Sequence, residues 1–458
     1  MARQVRTCFC PPPGGVVGGY SYDIDLTIGF VEQFVKTGVL YDTTGVDPYG
    51  PITSSMLKYP PPHAAFVMAL IPSSRRVTAP ARAALVAGAN MRGPETQAES
   101  QARWAEARRV AGLRAYTRTR PLVILYLASL VAALGLVLAA FKPGWKLGGL
   151  IALIFLNWQP NWESMEGPGI ESFLLLLFAL SLVLLKARRV SMSGIPIGLA
   201  GALKVYPWGA VLLFLPSRRV VRVLLGVLAG TVLAFAAATY FVPLRISLGY
   251  LTDILPRVGG GSGLRDNLSA LGNFSRLAYY LSGEQAPVIL PLGVRELVHG
   301  LRPPPAALLA LALWLVLCLS LTVVSIRSLR RAPPETPERT DLLRLGLSVS
   351  LIILLMPTAW SAYQTSLLVP LALGLALAPP PGRAKLTWSL LLFAGGAGAV
   401  NMGATSPLPV VVLRSLIPLA LWLACLRLLD AKSPEARWSG ADIARPCFSP
   451  GGPAVPTG

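Results

Sequence analysis

Lys204 stands in the middle of an otherwise apolar run, Gly194–Leu215. A cation there costs roughly 2.5–3.5 kcal/mol on membrane-insertion scales, so it normally has a partner or a task. Its ammonium is a compact point charge suited to a phosphate, and Arg276 could add a bidentate grip on the same anion. Snorkelling to the surface is the plain alternative. Two carboxylates, Asp23 and Asp25, precede an amphipathic stretch that carries Phe30 and Phe34. Asp25 reads as a helix N-cap and also as a general base that takes a proton from a hydroxyl.

Three further clusters gather polar and aromatic groups. LKYPPPH, residues 57–63, holds Tyr59 and His63, and its prolines force an extended entry to the helix that follows. NWQPNWESME, residues 157–166, crowds amides and tryptophans into a short turn. Interfacial Trp is ordinarily an anchor, but amides beside aromatic rings also bind sugars. DNLSALGNFSR, residues 266–276, reads as a polar, capped turn.

These residues need elements to hold them, and the chain supplies long apolar runs. Leu122–Ala140, Val223–Val242, Ala306–Val324, Leu386–Ala399 and Val410–Leu426 are nearly free of charge. About 20 apolar residues cross a hydrocarbon core of roughly 30 Å. Of the 458 residues, 53% are hydrophobic and 14% charged, against roughly 25% charged in soluble domains; the mean hydropathy is +0.59. The expected fold is an all-α polytopic membrane helix bundle of roughly 10–12 segments. Residues 1–121 form an N-terminal part, 122–430 the bundle, and 431–458 a Pro/Gly-rich tail expected to be disordered.

The net charge of +20 does not point to nucleic acid, because most basic residues fall in short turns between runs. Lys186–Arg189, Ser217–Arg222, Arg327–Arg344, Pro381–Lys385 and the tail after Arg427 form the cytoplasmic set. Residues 157–171, 243–302, 360–364 and 401–409 then face outward. The two sets alternate if Gly194–Leu215 is two half-spans broken at Lys204 and Pro207, a form that usually lines a cavity. Tyr206 then sits with Lys204 at the outward tip. Pro62–Ile71 and Pro80–Ala89 are each too short to cross unaided, and 91–120 is Arg-rich. Cys8, Cys10, Cys318, Cys425 and Cys447 form no motif, and with two histidines, His63 and His299, no His/Cys metal site is expected.

Taken in order, the clusters make a pattern: Asp25, Gly38 and Leu40-Tyr41; Tyr59–Pro61; Gln159 and Asn161; Gly194, Lys204 and Pro207; Asn267, Ser269, Gly272 and Arg276; Pro357 and Trp360. Each motif is weak alone, but the order is fairly specific. The chain resembles the family 87 glycosyltransferases of the GT-C class, membrane enzymes related to polyprenol-phosphate-mannose-dependent mannosyltransferases. It departs from that pattern in three places. Trp158 replaces a Gly before Gln-x-Asn, Ser361–Gln364 replaces a His-bearing turn, and no span precedes Asp25. The last departure leads to the expectation that the frame begins upstream or that the helix was lost.

The resemblance implies inverting transfer of a hexose, mannose above all, from a polyprenyl-phosphate-linked donor to a lipid or glycan acceptor. The site would lie at the outer face of a bacterial cytoplasmic membrane. It implies Asp25 as the base with Asp23 as its alternative, and Lys204 and Arg276 on the lipid phosphate. Tyr59, His63, Gln159, Asn161, Tyr206, Asn267, Ser269 and Trp360 would contact sugar or acceptor. No cofactor and no metal is required. A secondary transporter and an inactive relative are the competing readings; sugar transfer that depends on Asp25 would separate the three.

Overall fold

The computed structural model describes residues 31, 34–35, 40–41, 59–70, 116–166, 170–255, 267–284, 304–332, 337–378, 385–400 and 407–430. Asp23, Asp25, Gly38, His299, Cys8, Cys10, Cys447, the segments 73–76, 80–89 and 91–115 and the tail from 431 lie outside them. The described residues contain no strand, only the bridge between Asn267 and Trp360. The protein is an all-α polytopic membrane protein.

The helices in chain order are α1 (Pro61–Leu70), α2 (Tyr116–Phe141), α3 (Trp145–Asn157), α4 (Gln159–Glu166), α5 (Glu171–Lys186) and α6 (Val190–Leu203). A 3-10 helix, Tyr206–Phe214, leads to α7 (Val220–Ala238); the short helix Leu244–Gly249 and the π-helical turn Tyr250–Ile254 follow it, before α8 (Ala270–Leu281), α9 (Pro305–Arg331) and α10 (Pro337–Leu355). A second 3-10 helix, Ser361–Leu367, opens α11 (Leu368–Leu377), before α12 (Lys385–Gly398), α13 (Leu408–Ser415) and α14 (Ile417–Asp430).

Among the described residues, four stretches are long and apolar enough to cross a membrane: Val123–Phe141, Val220–Ala238, Pro305–Arg331 and Leu408–Leu429. The most apolar windows of α7 and α9 are only 22% and 17% buried inside the protein, so most of their apolar surface needs lipid as its solvent. Leu225, Leu228, Val316 and Leu319 are among those exposed side chains. By contrast α10 is buried along almost its whole length and packs on α14, α11 and the first 3-10 helix. The 14-residue run 386–399 matches the 14-residue helix α12. One expectation is corrected: the polar stretch 157–166 is not a plain turn but contains the 8-residue helix α4. Pro160 stands in its first turn, where a missing N–H is tolerated.

The apolar run around Lys204 breaks where its residues require. Helix α6 stops at Lys204, which is extended at φ −151° and ψ 124°, and Pro207 then starts the 3-10 helix. At the other end α5 and α6 join through Arg188, which takes the left-handed conformation at φ 62°.

Helices α6 and α7 meet backbone to backbone through four glycines. A Cβ on Gly194 would stand 2.2 Å from Val223 O, and one on Gly226 1.9 Å from Ser191 O. Gly198 and Gly230 are equally close, at 2.1 Å from Val227 O and Ile195 O. Small residues at this spacing let membrane helices approach when hydrophobicity gives no drive between them.

The two ends of the bundle differ in chemistry. At one end Arg219 Nη1 donates to Asp341 Oδ2 at 2.6 Å and Arg344 Nη1 to Asp341 Oδ1 at 2.7 Å. Arg188 pairs with Glu338 one turn away on α10. The start of α5, with Glu171, lies at the opposite end of that helix from Lys186 and Arg188. It meets Lys204 there, so Lys204 and Arg219 occupy opposite ends.

Candidate active site

Lys204 is 5% exposed and its ammonium pairs with Glu171, itself 2% exposed. Two rings cover the cation: Tyr363 with its centroid 3.9 Å from Nζ and Tyr59 at 5.3 Å. A desolvated cation over an aromatic face gains about 2 kcal/mol or more, electrostatically. Tyr206 stacks on Tyr363 at 5.3 Å, and its hydroxyl lies 3.2 Å from Ser366 Oγ. His63 stacks on Tyr59 at 4.3 Å. The His63 Nδ1 lies 3.3 Å from Leu203 O. A carbonyl can only accept, so Nδ1 carries the proton and a neutral ring leaves Nε2 as an acceptor. That Nε2 is buried without a hydrogen-bond partner, as is Glu171 Oε2. Tyr41 donates its hydroxyl to Tyr59 O at 2.9 Å, tying the segment that carries it to the start of α1.

Asn267, Ser269, Arg276 and Trp360 come together in a second cluster. Asn267 is 0% exposed. Its Oδ1 accepts from Ser269 N at 3.2 Å and Ala359 N at 2.8 Å, and its Nδ2 donates to Pro357 O at 3.3 Å. Ser269 Oγ donates to the same Pro357 O at 3.0 Å and caps α8 by accepting from Gly272 N at 3.0 Å. Gly272 is required by close approach, since a Cβ would fall 2.6 Å from Asn267 Nδ2. Arg276 Nη2 donates to Asn267 O at 3.0 Å and Asn273 Oδ1 at 2.8 Å. The Asn-x-Ser-x-x-Gly…Arg and Pro…Trp motifs are thus the two halves of one clasp. It fixes the strand-like segment 357–360, and the turn that follows lays Tyr363 on Lys204.

Gln159 and Asn161 lie in a third cluster. Gln159 is half-buried at the start of α4, which packs on the 361–367 turn. Asn161 is buried and donates Nδ2 to Phe155 O at 2.9 Å, and its Oδ1 has no partner. Trp158 and Trp162 do not reach outward as anchors. Both are buried, and their indole N–H groups donate to Gln364 O at 3.0 Å and Leu156 O at 2.9 Å.

Sequence reasoning gave no role to Glu171 or to Arg414. Arg414 is 0% exposed, and its Nε donates to Gln364 Oε1 at 3.0 Å while Gln364 Nε2 donates back to Arg414 O at 2.8 Å. Its Nη1 and Nη2 face the two oxygens of Glu163 at 3.4 and 3.3 Å. The signal was the one that singled out Lys204: a lone cation inside an apolar run. Among the described residues no group of three or more His, Cys, Asp or Glu side chains could hold a metal; Cys318 and Cys425 are free thiols inside helices.

A buried cation, its carboxylate and two aromatic faces are thus gathered at the less basic end of the multi-pass bundle. The chain belongs to glycosyltransferase family 87, whose model matches residues 111–357. The protein is therefore a membrane glycosyltransferase, with a sugar donor and an acceptor as substrates. The match takes in Glu171, Lys204 and the Asn267–Arg276 motif and ends at Pro357, whereas Tyr59, His63, Tyr363 and Arg414 lie beyond it. No curated protein and no solved structure matches the chain.

Proposed function

We propose that the enzyme transfers a hexose, mannose in the first place, from a polyprenyl-phosphate-linked donor to a lipid or glycan acceptor at the outer face of a bacterial cytoplasmic membrane. The observation that carries this reading is the buried Lys204 ammonium, held by a carboxylate and two rings at the end away from the Arg219–Asp341–Arg344 cluster. Lys204 holds the donor phosphate and, with Arg276, stabilises the charge that develops on it as the glycosidic bond breaks. Asp25, or Asp23 in its place, takes the proton of the acceptor hydroxyl, whose oxygen attacks the anomeric carbon from the side opposite the departing phosphate. His63 Nε2 accepts from a substrate hydroxyl. Tyr59, Tyr206 and Trp360 offer ring faces to the sugar, and Gln159 and Asn161 orient its hydroxyls. Asn267 and Ser269 serve the same site by holding Trp360 and Tyr363.

The test is transfer of radiolabelled mannose from a polyprenyl-phosphate-mannose donor in membranes containing the protein. Lys204→Met in a Glu171→Gln background, which leaves no buried carboxylate unpaired, should lower the rate at least about 100-fold relative to Glu171→Gln alone. Wild-type membranes that transfer from a nucleotide-sugar and not from the lipid donor would reject the donor assignment.

A further inference from the structure

The described residues hold three carboxylates, each at most 11% exposed at its side chain, in ion pairs, and the three are not built alike. Asp341 has both oxygens bonded, Oδ2 by Arg219 and Oδ1 by Arg344. Glu163 likewise meets Arg414 through both oxygens. Glu171 meets Lys204 through Oε1, while its Oε2 is buried with no hydrogen-bond partner. A buried carboxylate oxygen with no donor is costly, and native structures rarely keep one without a reason. The other two pairs are finished locks; the pair at the candidate active site is left half-satisfied.

The same cation is the one on which the proposed function places the donor phosphate. An ammonium already neutralised by a carboxylate attracts a second anion weakly, and the two anions repel each other at short range. A buried Lys204 with no counter-ion would in turn destabilise the empty enzyme. Both demands are met if one anion replaces the other.

We infer that Glu171 is an internal stand-in for the substrate's phosphate: it holds the Lys204 ammonium in the empty site and yields it when a phosphodiester lipid binds. This rests on the reading of Lys204 as the phosphate ligand. Glu171 is then a positioning residue that sets donor affinity and the direction of exchange. No bond is made or broken in the exchange; the ammonium passes from a carboxylate to a phosphate. Tyr59 and Tyr363 keep the cation in place during it, because their attraction does not depend on which anion is present. The orphaned Oε2 lowers the cost of parting, since Glu171 has one attachment to break where Asp341 has two.

The experiment measures binding of farnesyl methyl phosphate, a prenyl phosphodiester without sugar, to the detergent-purified full chain. Glu171→Gln should bind it at least about tenfold more tightly than wild type, and should show a lower donor KM together with a larger thermal shift on binding. Lys204→Met should lose binding. Equal or weaker binding by Glu171→Gln, with binding lost in Lys204→Met, overturns the exchange and leaves the phosphate assignment of Lys204 standing. Unchanged binding in Lys204→Met overturns both. Should Glu171→Gln fail to fold, wild type still decides the matter by infrared difference spectroscopy. Adding the phosphodiester must shift carboxylate stretching bands as one carboxylate loses its ammonium; an unchanged carboxylate region overturns the inference.

Discussion

Asn267 and Ala359 are joined across 92 residues of chain by a 2.8 Å hydrogen bond from the Ala359 N–H to Asn267 Oδ1. The bond is buried, and the same side chain also satisfies Ser269 N and Pro357 O. Asn267→Ala would leave these groups without partners, at about 1–3 kcal/mol for each group left buried. We expect a clear drop in thermal stability and loss of transfer, because the clasp sets the segment from which Tyr363 reaches Lys204. Equal stability of wild type and Asn267→Ala would remove the clasp from the account.

Asp25 and Asp23 are separable by isosteric change. Asp25→Asn should abolish transfer without affecting membrane insertion, since only the charge is removed, and Asp23→Asn should be milder. Activity retained in Asp25→Asn and lost in Asp23→Asn would exchange their roles.

Tyr363 should act on Lys204 through its ring and not its hydroxyl. Tyr363→Phe keeps the face 3.9 Å from the ammonium and should keep prenyl-phosphodiester binding within a few-fold of wild type. Tyr363→Leu removes about 2 kcal/mol or more of cation–π attraction and should weaken that binding at least about tenfold. Equal binding by the two variants would deny the ring any part.

The glycines between α6 and α7 admit no side chain. Gly226→Ala would drive a methyl group into Ser191 O, an overpacking that costs about 1–3 kcal/mol where the neighbour is backbone. The yield of folded protein should fall. Gly135→Ala meets nothing within 4 Å and should be neutral, since Ala is the better helix former. A fall in yield from both would mean that the assay reads glycine content and not helix contact.

Arg414→Met should destabilise the fold by about 3–5 kcal/mol, because it removes the buried ion pair with Glu163 together with the hydrogen bonds to Gln364 Oε1 and Val400 O. Adding Glu163→Gln should restore part of the loss, a coupling that a double-mutant cycle measures. Additive losses would show that the two side chains do not depend on each other.

The sequence made the membrane class, the break at Lys204 and the capped start of α8 legible, because each follows from local rules. Apolar run length announces a span, Pro207 starts a new helix, and Ser269 with Gly272 announces a cap. What was not legible depended on contacts between distant segments. Asn267 and Ser269 look like free polar groups until Pro357–Ala359 is laid beside them. Glu171 opens an apolar run like any helix-starting acid, and nothing local says that it meets Lys204. Gly194, Gly198, Gly226 and Gly230 have the spacing of a packing face, but the partner is known only when α6 and α7 are side by side. Arg414 carries the same local signal as Lys204, a lone cation in an apolar run, but its partner Glu163 lies 251 residues away.

Trp158 stands where the family pattern has glycine, and the opposite wall answers it. The indole fills the space over Gly398, where a Cβ would come within 1.8 Å of Cζ3, and its N–H holds the carbonyl of Gln364 beside the active-site turn. The indole and the missing Cβ at Gly398 fit one another, so a side chain at 398 needs a smaller residue at 158. Across related enzymes the two should be inherited as a pair: where a small residue takes the place of Trp158, position 398 is released from glycine. The turn at 361–364 should then be found with a different composition, since its indole tether is gone.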